Sequence, residues 1–290
     1  MIKGLVSIII PTHNRAKMVQ RAIQSVFQQT YRNVEVIVVA NGCVDDTSKI
    51  INDCIKKYKK IKFLEYQESL GGAEARNKGI HIAQGEYIAF LDDDDEWIET
   101  KLEKQVDILK KYDFCIVGSN YYEISQSSIK ERKFKEIVSF YDMNFENILG
   151  SYTFCMTKKE YIQGLIINKN LKANQDYDLW LKILQKTKKD AYIIQEYLSK
   201  YYQHSEKIST NYKNKIDAQK KFLTYWEKNL TKNGIRYQQM KLLFFQFMDT
   251  KNSLFYLQKI PFIFFAIFHS PYRYDWKKYY VYINFLRYLR

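Results

Sequence analysis

Four short apolar runs punctuate the first hundred residues: LVSIII (5–10), VEVIVV (34–39), KFLEY (62–66) and EYIAFL (86–91). They are largely continuous and rich in β-branched residues. A strand with one wet face alternates apolar and polar side chains, so a continuous run belongs to a strand covered on both faces. Between the runs the apolar period lengthens to three and four. Met18, Val19, Ala22, Ile23, Val26 and Phe27 share one helical face, Ile50, Ile51 and Ile55 a second, and residues 73–83 read as a third helix. This alternation predicts βαβ units around a buried sheet, an α/β half-domain of the nucleotide-binding type.

In such a sheet the ligand crevice lies beyond the carboxyl ends of the strands. The residues that follow the runs are Pro11-Thr12-His13-Asn14, Ala40-Asn41-Gly42 and Asp92 to Asp95, and they are predicted to converge on one edge. The four aspartates are the most demanding feature. Adjacent carboxylates in a partly dry site repel by kilocalories per mole unless a cation sits among them. If strand geometry persists, Asp92 and Asp94 project to one side and can share a cation, while Asp93 turns to another partner. Oxygen ligands of this kind suit Mg²⁺ or Mn²⁺, which keeps waters and bridges to substrate phosphates. The plainer alternative is that the acids, Asp95 above all, cap a helix starting near Trp97.

A second acidic group, Asn174-Gln175-Asp176-Tyr177-Asp178, precedes a helical pattern through Leu179, Trp180, Ile183 and Leu184. A carboxylate in a first turn feels the helix dipole, which is expected to lower its pKa and keep it ready to accept a proton; simple capping by Asn174 or Asp176 is the alternative. In LGGAEARNKG (70–79), Arg76 and Lys78 are candidates to face phosphates or a base, against a solvated Arg after a Gly-Gly turn. Neither a P-loop nor a G-x-G-x-x-G spacing is present. His204 stands alone and reads as an ordinary surface or core histidine.

At 290 residues and 46% hydrophobic content, the chain suffices for one large domain or a domain and a half. Its four cysteines form no CxxC pair, so neither a zinc site nor a disulfide framework is expected, which suits a reducing cytoplasm. The apolar N-terminal run ends at Pro11 without a cleavage pattern and reads as a strand, not a signal peptide. The net charge of +14 is uneven: Lys and Arg against Asp and Glu number 16 and 16 over residues 1–110, but 10 and 2 over residues 232–290. There Trp276, Tyr279, Tyr280, Tyr282, Phe285 and Tyr288 interleave with Lys277, Lys278, Arg287 and Arg290. This composition fits a segment lying at an anionic membrane surface, or else a helical extension packing its aromatics on the domain. The apolar run IPFIFFAIF (260–268) is too short to span a bilayer, which takes about twenty residues. Nucleic acid is not an expected partner, since no recognised module is present and the positive charge avoids the half that carries the strand ends.

Four segments together, SIIIPTHNR (7–15), VIVVANGCVDDT (36–47), ARNKGIHIAQGEYIAFLDDDDEW (75–97) and NQDYDLWLK (174–182), resemble inverting glycosyltransferases of family 2 over roughly residues 4 to 210. The resemblance implies the GT-A fold, a Rossmann-like mixed sheet flanked by helices, here with a C-terminal helical extension. Asp92-Asp93-Asp94 matches the family's D-x-D, which implies ribose and diphosphate contacts from Asp92 and Asp93 and a divalent metal on Asp94, with Asp92 beside it. Asp176 matches the catalytic base. Pro11, Thr12, Asn14, Asn41 and Arg76 match the nucleotide pocket.

The sequence also departs from the family. Ala40-Asn41-Gly42-Cys43 stands where many relatives carry an acid that contacts the base, although the Asn41 amide oxygen remains an acceptor for a uracil N–H. Gln175 replaces a frequent Glu and Gln203 a frequent Arg. The implied activity is inverting, metal-dependent transfer of a hexosyl or N-acetylhexosaminyl group from a nucleotide-diphospho-sugar, a UDP-sugar first, to a hydroxyl of a surface glycan or lipid-linked oligosaccharide. The expected organisation is a catalytic domain over 1–215 and a basic, aromatic-rich extension over 216–290. Within the catalytic domain, residues 1–110 form the donor half and residues 111–215 the acceptor and base half. The protein is expected in the cytoplasm, peripheral on the inner face of the membrane. The competing reading is a nucleotide-sugar-binding or scaffolding protein that kept the fold without turnover. A sugar-1-phosphate nucleotidylyltransferase would need a Gly-rich loop where SIIIPTHNR stands.

Overall fold

A computed structural model describes residues 1–203 and 212–250, with residues 247, 248 and 250 described by backbone alone. Two compact units divide the chain: residues 1–169 with 175–205, and residues 170–174 with the chain from 206 onward.

The first unit runs β1 (Ile2–Thr12), α1 (Ala16–Phe27), β2 (Val34–Asn41), α2 (Thr47–Lys57), β3 (Ile61–Tyr66), α3 (Gly72–Ile82), β4 (Gly85–Phe90), β5 (Glu96–Trp97) and α4 (Lys101–Lys111). It continues with β6 (Ile116–Ile124), β7 (Ile129–Arg132), β8 (Ile137–Val138), β9 (Met156–Lys158), α5 (Lys159–Ile162), α6 (Gln175–Thr187) and β10 (Ala191–Tyr202). Among the described residues one ten-stranded sheet has the order β3-β2-β1-β4-β9-β6-β10-β5, with β7 beside β6 and β8 beside β10. The strands β3, β2, β1 and β4 are parallel, as are β6 and β10, whereas β9 is antiparallel to both β4 and β6. The α/β mixed sheet expected from the alternating runs is therefore present.

Why the runs are continuous is visible in the burial. Every residue of β2 is buried, and so are Leu5 to Thr12 of β1, because helices cover both faces of the sheet. The edge strand β3 is only half covered, and its run is correspondingly the most polar. On one side α1 buries Val19, Ala22, Ile23 and Val26. On α3, Gly79 lets the helix approach the sheet so closely that a Cβ there would lie 2.5 Å from Ile9 Cγ2.

Residues 113–124 contribute one strand, β6. The predicted helix near Trp97 is not there. Glu96 and Trp97 instead pair with Lys200 and Ser199 of β10, and the helix begins at Lys101. Extended pairing wins because Trp97 gains a buried slot and its indole N–H donates to Thr153 O at 2.8 Å.

In the second unit α7 (Tyr212–Trp226) and α8 (Lys232–Thr250) form a helix pair around Ala218, Phe222 and Trp226. Buried Gln219 donates to Gln238 Oε1 at 2.9 Å. His204, IPFIFFAIF and the aromatic and basic residues from Trp276 to Arg290 lie outside the described residues.

Candidate active site

Neighbouring parallel strands β2, β1 and β4 end side by side, so the segments after Thr12, Asn41 and Phe90 meet. His13 Nδ1 lies 2.6 Å from Asn41 O, and Asn14, at φ 52°, accepts Val44 N–H on its side-chain oxygen at 2.8 Å. Pro11 is buried in register with Val39. Asn41 is buried, and its amide oxygen accepts Leu70 N–H at 2.5 Å. That oxygen thus holds the loop before α3. Gly42 follows at φ +69°, where a Cβ would meet Ser69 N at 2.6 Å, so the turn requires glycine.

Regular strand geometry ends at Phe90, and the acidic quartet forms a tight turn in which Asp95 N–H donates to Asp92 O at 3.0 Å. This turn replaces the extended geometry expected after Phe90, and different side chains engage the carboxylates. Asp92 accepts Arg76 Nη2 on one oxygen at 2.5 Å and Ser151 Oγ on the other at 2.9 Å. Arg15 Nη1 bridges Asp93 Oδ1 at 2.8 Å and Asp94 Oδ2 at 2.9 Å. Arg21 fixes the turn from behind, donating to Asp94 O at 2.7 Å, pairing with Glu96, and lying 3.9 Å over the Tyr202 ring. Asp95 is fully buried and accepts from Thr153 Oγ1 at 2.6 Å and from Tyr202 N–H at 3.2 Å. The acids are therefore turned inward, and the cations among them are the chain's own arginines.

Burial sets the proton affinities. It pushes the Asp93 carboxyl up against the opposing pull of Arg15 and the Thr12 hydroxyl. It pushes Asp95 up further, helped by the charges of Asp92 and Asp94.

Asp176 stands in the first turn of α6, with Oδ1 accepting Tyr177 N–H at 2.7 Å. Its neighbour Asp178 is paired with Lys182 at 2.6 Å. Burial raises the Asp176 carboxyl to about 6; the Asp92 charge adds to that rise, while the Tyr177 N–H and Arg76 oppose it. The expected lowering by the helix N-terminus is thus overturned, because loss of water outweighs a backbone dipole. Arg76 joins the two acidic groups. Its side chain is 11% exposed, and its guanidinium pairs with Asp92 and lies 4.2 Å over the Tyr152 ring. Lys78, by contrast, pairs with Glu74 at the surface.

Ser151, Tyr152, Thr153 and Arg15 went unread as site residues in the sequence. The first three lie just before β9, and their partners are about sixty positions away.

An all-oxygen donor set at Asp92 and Asp94, about a fifth to a quarter exposed, fits a hard divalent cation that takes one or two carboxylates and draws its other ligands from water and phosphate. No group of three His, Cys, Asp or Glu poised to hold an ion by themselves occurs among the described residues.

The sequence matches the family model described as Glycosyl transferase family 2 over residues 7–165. It is 32% identical over 212 residues to the putative teichuronic acid biosynthesis glycosyltransferase TuaG of Bacillus subtilis, covering 72% of this chain and 83% of TuaG. A Rickettsia bellii glycosyltransferase is 34% identical over 61% of this chain, which spans only 26% of that relative's length. Among solved structures, S. aureus TarS 1-349 in complex with UDP-GlcNAc superposes with a TM-score of 0.66 at 16% identity, covering 90% of this chain and 79% of that one. The mannosyltransferase PcManGT of Pyrobaculum calidifontis, solved with GDP-Man and Mn²⁺, gives 0.60 at 16% identity over 90% of this chain and 73% of its own. These two likenesses establish a shared fold.

Proposed function

We propose that this chain, which belongs to glycosyl transferase family 2, transfers a sugar with inversion from a nucleotide-diphospho-sugar to an acceptor hydroxyl, with Asp176 as the base. The observation that carries the reading is the line Asp176, Arg76, Asp92. A buried carboxyl with its affinity raised to about 6 lies within electrostatic reach of an arginine already committed to the acidic turn at the strand ends. A base of that strength is largely ionised at neutral pH, yet is more basic than an exposed carboxylate. It can take the acceptor proton as the oxygen attacks the anomeric carbon from the face opposite the leaving group.

The donor end is assigned to Pro11, Thr12, Asn14, Asn41 and Arg76 around the nucleotide, with Asp92 and Asp93 toward ribose and diphosphate. Pro11 and Asn41 contribute shape rather than free polar groups. Asp94, with Asp92, would hold Mg²⁺ or Mn²⁺, which when bound supplies charge stabilisation to the departing diphosphate. Arg76 orients Asp92 and keeps the acidic turn closed. Residues 1–110 are assigned to the donor and residues 111–215 to the acceptor and base.

UDP-sugars are the first donors to test, in view of the TarS complex with UDP-GlcNAc. A surface glycan or lipid-linked oligosaccharide is the acceptor class that the likeness to TuaG favours. No helix among the described residues is long and apolar enough to cross a membrane. The basic, aromatic composition of residues 276–290 supports peripheral attachment to an anionic leaflet on the cytoplasmic side. Salt-sensitive binding of the full chain to anionic liposomes, lost on deletion from about residue 255, is the expected result.

The test of activity is donor turnover with a panel of nucleotide sugars. Asp176→Asn is expected to lose about 10²- to 10⁴-fold in kcat while still binding donor; retention of full turnover would remove Asp176 from its role.

A further inference from the structure

Arg15 holds two carboxylates of the acidic turn with one nitrogen, Asp93 Oδ1 at 2.8 Å and Asp94 Oδ2 at 2.9 Å. The three groups are not equally deep. The Asp93 side chain is 7% exposed, Asp94 19% and Arg15 38%, so Arg15 is the most exposed side chain of the three. Its backbone is fixed, since Arg15 N–H donates to Thr47 Oγ1 at 3.0 Å at the start of α1. The Asp94 backbone is fixed as well, through Arg21. The Arg15 side chain has to move for Asp94 Oδ2 to exchange that cationic partner for another.

We infer that Arg15 is a built-in competitor for the divalent cation: an ion gains Asp94 only as the guanidinium withdraws, and the withdrawn guanidinium pairs with the anionic diphosphate that arrives with the ion. This rests on the metal-dependent reading above. With the guanidinium on Asp94 Oδ2, a divalent ion drawn to the same carboxylate meets a like charge at short range, which weakens its hold. Metal alone therefore displaces a partner and gives it nothing in return. Metal with a nucleoside diphosphate supplies phosphate oxygens, which suit the fork of an arginine. Arg15 thereby makes metal and nucleotide binding cooperative, and by linkage each raises the affinity of the other by the same factor. It is a positioning residue, not a catalytic one.

The test measures Mn²⁺ binding by electron paramagnetic resonance, with and without UDP, so it needs neither a known sugar nor an acceptor. Wild type is expected to bind Mn²⁺ weakly alone and at least tenfold more tightly with UDP. Arg15→Gln is expected to bind Mn²⁺ alone at least fivefold more tightly than wild type, with the gain from UDP reduced. Arg15→Lys, which keeps a cation at the turn, is expected to stay near wild type. Loss of structure cannot produce a gain in affinity, so the sign of the Arg15→Gln effect is diagnostic. An unchanged or weaker Mn²⁺ affinity in folded Arg15→Gln overturns this inference alone. Absence of Mn²⁺ binding by wild type, even with UDP, overturns the metal-dependent reading and the inference with it.

Discussion

Arg76 Nη2 lies 2.5 Å from Asp92 Oδ1, so α3 and the turn after β4 are joined by an ion pair that is mostly out of water. Burial disfavours the charge on Arg76, and Asp92, together with Tyr152 and Asp176, more than restores it, holding the guanidinium above its ordinary proton affinity. Breaking such a pair from one side strands the other charge. Arg76→Ala is therefore expected to lose about 3 kcal/mol of stability, seen as a lowered thermal midpoint. The double variant Arg76→Met with Asp92→Asn is expected to recover part of it.

With Asp176 as the proposed base, the pH dependence of turnover follows its carboxyl. Its folded-state affinity of about 6 lies above the usual carboxylate value of 3.8, so kcat/KM is expected to rise as pH increases through about 6 and then level off. Stability runs the other way. The raised group binds its proton more tightly in the fold, so its contribution is full below about pH 4 and is lost as pH rises through 6. Asp176→Asn is thus expected to unfold at a higher temperature than wild type at pH 8, by on the order of 2 kcal/mol, and the two should converge near pH 4.

Lys101 gives a second pH signature. It is fully buried with no carboxylate partner, donating to Gln105 Oε1 at 2.6 Å and Phe154 O at 3.1 Å, and burial lowers its affinity to about 7. A lysine lowered in the fold costs stability wherever the unfolded chain would hold the proton, so stability rises from pH 7 toward 10. Lys101→Met is expected to lose this rise. Relative to wild type it should gain about 2 kcal/mol between pH 9 and pH 7 in urea titrations.

Ligand removal tests the donor site. UDP with Mn²⁺ is expected to raise the thermal midpoint of wild type, by up to about 2.7 kcal/mol equivalent at a hundredfold excess over Kd. EDTA should cancel most of the rise, and Asp94→Ala should abolish the part that depends on metal.

Close packing of α3 on β1 makes Gly79→Ala the sharpest core test. Its Cβ would overlap Ile9 Cγ2 at 2.5 Å, and a loss of about 1–3 kcal/mol is expected. In the double variant with Ile9→Ala the loss should be less than the sum of the two separate losses, since the truncation removes the overlap.

The parallel half of the sheet was legible because burial on both faces writes itself locally, in runs such as VEVIVV. The acidic turn announced itself by charge alone, and Asp176 by its place before an amphipathic helix. What stayed hidden was long-range. Arg15 reaches acids 78 and 79 residues away, and nothing in the pattern around it names them. The strand β9 has three residues, too few for any period to show. The proton affinity of Asp176 was misjudged in direction because depth cannot be read from neighbours in sequence.

The reversed direction of β9 has an architectural consequence. A strand running against its neighbours begins where they finish, so the segment leading into it arrives at the rim rather than at the floor of the sheet. Ser151, Tyr152 and Thr153 are delivered in this way to Asp92, Arg76 and Asp95. The stretch between β6 and that rim can lengthen or change its chemistry while its last three residues stay docked. A change of side chains upstream can thus leave the contacts of Ser151, Tyr152 and Thr153 with the acidic turn in place.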